Sequence, residues 1–318
     1  MKKIDVCIPA YHPGEELEKT FIRLSKQTVK INRIIICNTD VTGWSDDLTE
    51  IAKDRGLDLF VYHIGKEKFD HGRVRDEMMK ISDADLVLFM TQDAYPADDR
   101  LIEKLAGAFD SAKDVTVAAA YGRQLAKPGS DILERYSRNY NYPKRSCIKT
   151  KADLDTLGIK TFFCSNVCAM YRRDIYLGGT GFPERTIFNE DMINARGLID
   201  RGYGVAYVSD AMVFHSHSYT LKKQFKRNFD LAYSQAMYPQ VFGDVRSESE
   251  GMKYVRIMLG TLTKRFHFLS CIKFCFQCVA KYAGFFLGKR ADTLPKCIVK
   301  ICTDSPAFFE CLQDFSKR

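Results

Sequence analysis

Over its first 120 residues the chain alternates short apolar runs with segments of helical spacing, and this alternation restricts the fold more than any other feature. Residues 4–9, 33–38, 57–63, 86–91 and 115–121 read as strands. Between them 15–27, 46–55, 72–82 and 98–109 read as helices. Strands such as RIIICN and LVLFMT are apolar at successive positions rather than at alternate ones, which is the pattern of strands buried on both faces. The expectation is therefore an α/β fold: a mostly parallel sheet flanked by helices, with right-handed crossovers.

The remainder is less regular. Residues 127–160 are polar, with Tyr136, Tyr140 and Tyr142 among Arg135, Arg138, Lys144 and Arg145, and read as a loop with short helices. Residues 162–172 return to the sheet, 190–201 form a helix closed by Gly202, and 205–208 and 211–215 are two short strands. A helix is expected over 220–238, and amphipathic helix from 251 onward. No internal repeat and no Gly/Ser/Pro linker interrupts the chain, so the expected division is one domain over 1–243 and a helical appendage over 244–318.

Charge is uneven. The net charge is +8, and 251–318 holds twelve Lys/Arg against four Asp/Glu, which accounts for all of it. Such a basic, amphipathic tail suits an anionic membrane face; nucleic acid is disfavoured because no recognition motif accompanies the charge. No apolar run reaches the length of a membrane-spanning helix. The opening MKKIDVCIPAYHPG reaches a strand and a turn too soon for a secretory leader, so the eleven cysteines are expected as free thiols. Cys164 and Cys168, and Cys271, Cys275 and Cys278, lack the paired C-x-x-C elements of a structural zinc site. The glycine fingerprint of dinucleotide binding, the P-loop and the nucleophile elbow of serine hydrolases are all missing.

In open α/β sheets, ligands sit beyond the carboxyl ends of the strands. The segments there are Pro9-Ala10-Tyr11-His12, Asn38-Thr39-Asp40, a loop with Lys66, Asp70, His71 and Gly72, and Thr91-Gln92-Asp93-Ala94. Asp93 closes a hydrophobic strand, where a carboxylate is desolvated unless a cation meets it; Mg²⁺ or Mn²⁺ bridging a diphosphate meets that need with few protein ligands. Helix capping is the structural alternative, but Asp98 lies nearer to that position. Further on, Glu190-Asp191 opens a helix behind Ile187-Phe188. Capping explains one acid, whereas two adjacent acids fit an active-site base. His215 and His217 alternate on a strand end, so either can complete a metal shell, or both can simply face solvent.

These segments resemble a known family. VCIPAYHPGEELEKTF is similar to the opening of inverting family 2 glycosyltransferases of the GT-A fold, LVLFMTQDAYP to their Asp-x-Asp metal region, and FNED to their Glu-Asp catalytic motif. FDHGRVRDEMM, TQDA and HSHSYTLKKQFKRNFD resemble the rhamnosyltransferase branch more narrowly. The resemblance spans roughly 4–240, with the motifs in the family's order.

The resemblance implies roles. Pro9, Ala10 and Tyr11 line the base pocket, Asn38 or Asp40 bonds the pyrimidine or ribose, and Arg75 and Gln92 serve the nucleotide-sugar. Asp93 holds Mn²⁺ or Mg²⁺ with His215 or His217 assisting, Asp191 is the base with Glu190 beside it, and Phe163, Ser165 and Asn166 adjoin sugar and acceptor. Residues 1–121 become the nucleotide-sugar half and 122–243 the acceptor half. One departure stands out: Thr91-Gln92-Asp93 keeps a single carboxylate of the Asp-x-Asp pair. The implied activity is transfer of L-rhamnose, with inversion, from dTDP-β-L-rhamnose to a glycan or lipid-linked acceptor in cell-surface polysaccharide synthesis. The alternatives are a UDP-hexose or UDP-N-acetylhexosamine donor, or a non-catalytic nucleotide-sugar binder. The expected location is cytoplasmic, peripheral at the inner face of the cell membrane.

Overall fold

The computed structural model describes residues 2–112, 114–244 and 247–315; Lys317 and Arg318, counted in the basic tail, lie outside them. The chain divides into two compact units: Met1–Gly129, Arg138–Arg185 and Glu190–Ser216 form the first, and Ser130–Ser137, Thr186–Asn189 and His217–Arg318 the second.

The first unit is built on a nine-stranded sheet: β1 (Ile4–Tyr11), β2 (Arg33–Thr39), β3 (Leu59–Ile64), β4 (Leu86–Met90), β5 (Tyr95–Pro96), β6 (Val117–Leu125), β7 (Cys147–Lys149), β8 (Cys168–Arg172) and β9 (Gly204–Phe214). Its order is β3-β2-β1-β4-β8-β6-β9-β5, with β7 also on β9. The expected parallel crossovers form β3-β2-β1-β4, β8 inserts antiparallel between β4 and β6, and β6 pairs parallel with β9. The apolar runs occupy the core: Ile34, Ile36, Leu86, Leu88 and Met90 are buried with Leu17, Phe21 and Leu24 from the Glu15–Leu24 helix. Asp70 caps the His71–Ile81 helix by accepting from the amides of Gly72 and Arg73, at 2.9 and 3.1 Å. At Gly72 a Cβ would lie 1.9 Å from the Pro183 carbonyl oxygen, so this turn admits only glycine.

Three expectations change. The two short strands at 205–208 and 211–215 are one strand, β9, because pairing resumes after a register shift: Gly122 faces Val208, and the next residue, Arg123, faces Met212. The polar Ser209-Asp210 breaks the side-chain pattern without ending the backbone ladder, as a bulge does. β6 likewise runs four residues past the expected end at Tyr121, because Arg123–Leu125 pair with Met212–Phe214. The helix expected from 251 is two helices, Ser247–Lys264 and Phe268–Gly288, separated where Phe266 takes a left-handed φ of 59°.

The second unit is helical. Its Leu221–Met237 helix, capped by Thr220, falls in the domain expected to run to Gly243, yet it packs on the Phe268–Gly288 helix. The contact is close: a Cβ at Gly284 would lie 2.2 Å from the Phe225 carbonyl oxygen, and one at Gly288 2.1 Å from that of Phe229. Phe229 and Tyr233 are buried in a cluster with Ala291, Val299, Cys302 and Phe309.

Candidate active site

The strand ends of the first unit bring several polar side chains together. Gln92, just past β4, accepts from the Tyr11 amide at 2.7 Å and donates to the Tyr11 carbonyl at 3.0 Å. Its amide thus ties the loops after β1 and β4, a structural use that the nucleotide-binding expectation did not include. Asp93 follows, and its carboxylate lies 3.5 Å from His215 Nε2. β9 ends at Phe214, so the pleat that was to align His215 with His217 stops one residue short of the first of them. His215 is nonetheless tied to the sheet edge through its amide and the Leu125 carbonyl, 2.9 Å apart. His217, two residues on, opens the second unit, where its ring stacks on Tyr219 at 4.9 Å.

Gln124, on the unexpected extension of β6, organises this region. Its Oε1 lies 2.9 Å from His215 Nδ1 and also accepts from the Arg138 guanidinium. Its Nε2 donates to Ser165 Oγ at 2.9 Å. Because the guanidinium can only donate, Oε1 is the acceptor, and His215 Nδ1 must carry the proton. Burial holds the His215 pKa below its ordinary value, although Asp93 pulls it up. The neutral ring therefore turns the Nε2 lone pair toward the Asp93 carboxylate. Two electron-pair donors, one oxygen and one nitrogen, facing each other in this way fit a divalent cation.

From Ser165 the network continues to the acids. The Asn166 amide donates to Asp191 Oδ2 at 3.2 Å, the Asn166 side chain donates to Glu190 Oε1 at 3.2 Å, and Tyr171 donates to Asn166 Oδ1 at 2.8 Å. Arg75 Nη1 lies 3.2 Å from Glu190 Oε1, with both side chains buried. The arginine expected on the nucleotide thus pairs with the acid. Burial alone would raise Glu190, but Arg75, His71 and Asn166 outweigh it and hold it below the usual carboxylate range. Asp191 goes the other way: burial and the neighbouring Glu190 charge push it up to about 7, against the amides of Asn166 and Met192. Asp191 is still partly exposed, so it can reach a reacting group. A continuous chain of contacts thus runs from Asp93 through His215, Gln124 and Ser165 to Asn166, Asp191, Glu190 and Arg75.

The segment carrying Phe163, Ser165 and Asn166 is held from below by Lys149. Its ammonium donates to the carbonyls of Phe163 and Lys160 and to the Tyr121 hydroxyl, and burial lowers its pKa to about 8. Phe163 meets Tyr121 and Tyr142 edge-on, with ring centroids 5.7 and 5.8 Å apart. Sequence reasoning missed Gln124, Arg138 and Lys149. Gln124 was placed beyond its strand, Arg138 read as one of several loop cations, and β7 carried no strand pattern. A lysine at the end of a three-residue strand has no distinguishing signal.

On the other side of β1, Asp40, Val41, His63, Ile64, Lys66 and Glu67 line a cavity of about 460 Å³. Tyr11 lies exposed at the end of β1 with Lys66 Nζ 5.0 Å from its ring centre, while Pro9 is half-buried and Ala10 buried. Asp40 takes Lys66 at 3.3 Å and His12 at 3.6 Å. Asn38 is fully buried, its amide donating to the Asp40 carbonyl at 2.9 Å. Of these two residues, only Asp40 opens onto the cavity.

With this geometry in place, the likenesses to known proteins can be stated. The profile of glycosyl transferase family 2 matches residues 5–178. The chain is 36% identical over 295 residues to the O-antigen chain rhamnosyltransferase RfbN of Salmonella typhimurium, covering 92% of this chain and 91% of the relative. It is 34% identical over 298 residues to WbaN of Salmonella anatum, also an O-antigen chain rhamnosyltransferase, covering 93% and 92%. Among solved structures, the mannosyltransferase PcManGT from Pyrobaculum calidifontis, in complex with GDP-Man and Mn²⁺, superposes with a TM-score of 0.60 at 12% identity, covering 92% of this chain and 88% of that one. At that identity the likeness speaks to the fold, which is GT-A.

Proposed function

The chain belongs to glycosyl transferase family 2, and from that premise we propose that it transfers L-rhamnose from dTDP-β-L-rhamnose to a glycan or lipid-linked acceptor in cell-surface polysaccharide synthesis, with inversion. The observation that carries the mechanism is the divided acid pair: Glu190 held ionised by Arg75, and Asp191 raised to about 7 beside it. A carboxylate poised near neutral pH is a suitable base for a sugar hydroxyl. Asp191 takes the hydroxyl proton, and the oxygen attacks the anomeric carbon from the face opposite the leaving diphosphate. Glu190 keeps its charge, so the proton stays on Asp191. Phe163, Ser165 and Asn166 border the sugar and acceptor. Tyr11, Pro9, Ala10 and Asp40 bind the nucleotide, with Asn38 supporting Asp40 from beneath.

Asp93 and His215 are the residues that would hold Mn²⁺ or Mg²⁺. The ion, when bound, neutralises charge on the departing diphosphate. The reading includes peripheral contact with the inner face of the cell membrane through the C-terminal helices, where a lipid-linked acceptor resides.

The test is to incubate the purified protein with Mn²⁺, a lipid-linked acceptor and one of dTDP-rhamnose, UDP-glucose, UDP-galactose or UDP-N-acetylglucosamine, and to measure nucleotide release. Release of dTDP from dTDP-rhamnose alone is the expected result. Turnover with only a UDP-sugar would replace the donor, and binding without turnover of any of the four would reduce the protein to a nucleotide-sugar binder.

A further inference from the structure

The Phe268–Gly288 helix is 21 residues long and carries no acid. One side is occupied: Phe274, Gly284 and Gly288 are buried. At about 100° per residue, Leu269, Ile272, Phe276, Val279, Tyr282 and Phe286 share another arc, about 140° wide. Every one of these six side chains is exposed, from 44% at Phe286 to 84% at Leu269. Large apolar side chains normally reach a protein surface singly, so a continuous row of them marks a contact face.

Charge decides what the face contacts. Residues 251–290 contain eight Lys/Arg and no Asp/Glu. Lys264 and Arg265 precede the helix, and Lys289 and Arg290 follow it, with the Arg290 guanidinium 3.8 Å over the Phe286 ring. A second copy of this face would set Lys264, Arg265, Lys289 and Arg290 against the same four cations. An anionic lipid surface answers both the charge and the apolar row. Among the described residues no helix is long and apolar enough to cross a membrane, which leaves this helix to lie along the surface. We infer that the exposed row of the Phe268–Gly288 helix is the face by which the protein docks on an anionic bilayer, with the row at the acyl boundary and the flanking cations at the head groups. This rests on the peripheral-membrane part of the functional reading and assigns it to one face of one helix.

The experiment is flotation of the full chain with vesicles of phosphatidylglycerol and phosphatidylethanolamine, compared with vesicles of phosphatidylcholine. The wild type floats with the anionic vesicles and at least ten-fold less with phosphatidylcholine. The triple variant Ile272→Glu/Phe276→Glu/Val279→Glu loses flotation at least ten-fold, while its melting temperature and its nucleotide release with a water-soluble acceptor match the wild type. Leu269→Glu, at the most exposed position, lowers flotation without risk to the fold. Lys264→Gln/Arg265→Gln/Lys289→Gln/Arg290→Gln abolishes the preference for anionic vesicles. If the wild type floats with neither vesicle, the peripheral reading and this face fail together. If it floats and the glutamate variants float equally well, only this face fails. A wild-type dimer that the triple variant breaks, with no flotation, assigns the face to a second copy instead.

Discussion

Each unit holds an acid whose pKa is raised, and the two acids differ in how far they are enclosed. Asp191 in the first unit rises to about 7, and Asp230 in the second to about 6, in both cases chiefly through burial. Asp230 is fully enclosed: Thr303 Oγ1 donates to one oxygen at 2.5 Å and the Asp304 amide to the other at 3.0 Å. It staples the Leu221–Met237 helix to the residues after Cys302. Asp191 has the same kind of amide contacts but keeps an exposed side, and beside it stands a second acid whose charge is held by an arginine. A raised pKa therefore does not identify a catalytic group. Both acids have a second acid beside them, Glu190 and Asp304, so the open side is what separates the carboxylate we propose as the base from the enclosed one.

The largest effect that this contrast predicts is at Asp191. Asp191→Asn should lower the transfer rate by about 10²–10⁴-fold with little change in melting temperature, the usual cost of losing a general base. A variant of near wild-type rate would place Asp191 with Asp230 as a structural acid. Next comes Gln124→Leu, which removes the group that fixes the His215 tautomer; Mn²⁺ affinity measured by calorimetry should fall about 10–100-fold.

A smaller and more diagnostic effect concerns the acid pair. In the wild type, activity should fall as pH drops below about 7, because protonated Asp191 cannot accept the hydroxyl proton. Arg75→Met leaves Glu190 without its cation at a cost of about 3–5 kcal/mol if it stays ionised, so Glu190 takes up a proton instead. With that negative neighbour gone, the Asp191 pKa falls, and the acid limb of the rate profile should move to lower pH. An unmoved limb would separate the two acids.

The smallest effect belongs to Asp230. Its folded pKa lies above the unfolded value, so its stabilising contribution is complete below about 4 and is lost as pH rises through about 6. Asp230→Asn, which cannot ionise, should flatten the dependence of melting temperature on pH over that window.

Much of the first unit was legible in the sequence because its strands are apolar on both faces and its turns carry capping residues; β1, β2 and β4 begin where the pattern places them. Asp93, Glu190 and Asp191 were legible because a carboxylate next to an apolar run needs a reason. Other features were not. β9 reads as two strands because Ser209-Asp210 interrupts the side-chain pattern, while the backbone pairing that joins its halves is not encoded in hydrophobicity. The unit boundary near Ser216 left no linker composition, because the Leu221–Met237 helix continues the chain without a break in polarity.

The sequence by itself determined the parallel start of the sheet, the acids at its mouth, and the basic, acid-free stretch near the C-terminus. All of these follow from local residue type and spacing. Only the tertiary structure decided that Arg75 serves Glu190, that Gln124 connects His215 to Ser165, and that one face of the Phe268–Gly288 helix stays uncovered. These depend on which side chains meet across strands and helices far apart in the chain, and on which faces are left without a partner; local pattern carries neither.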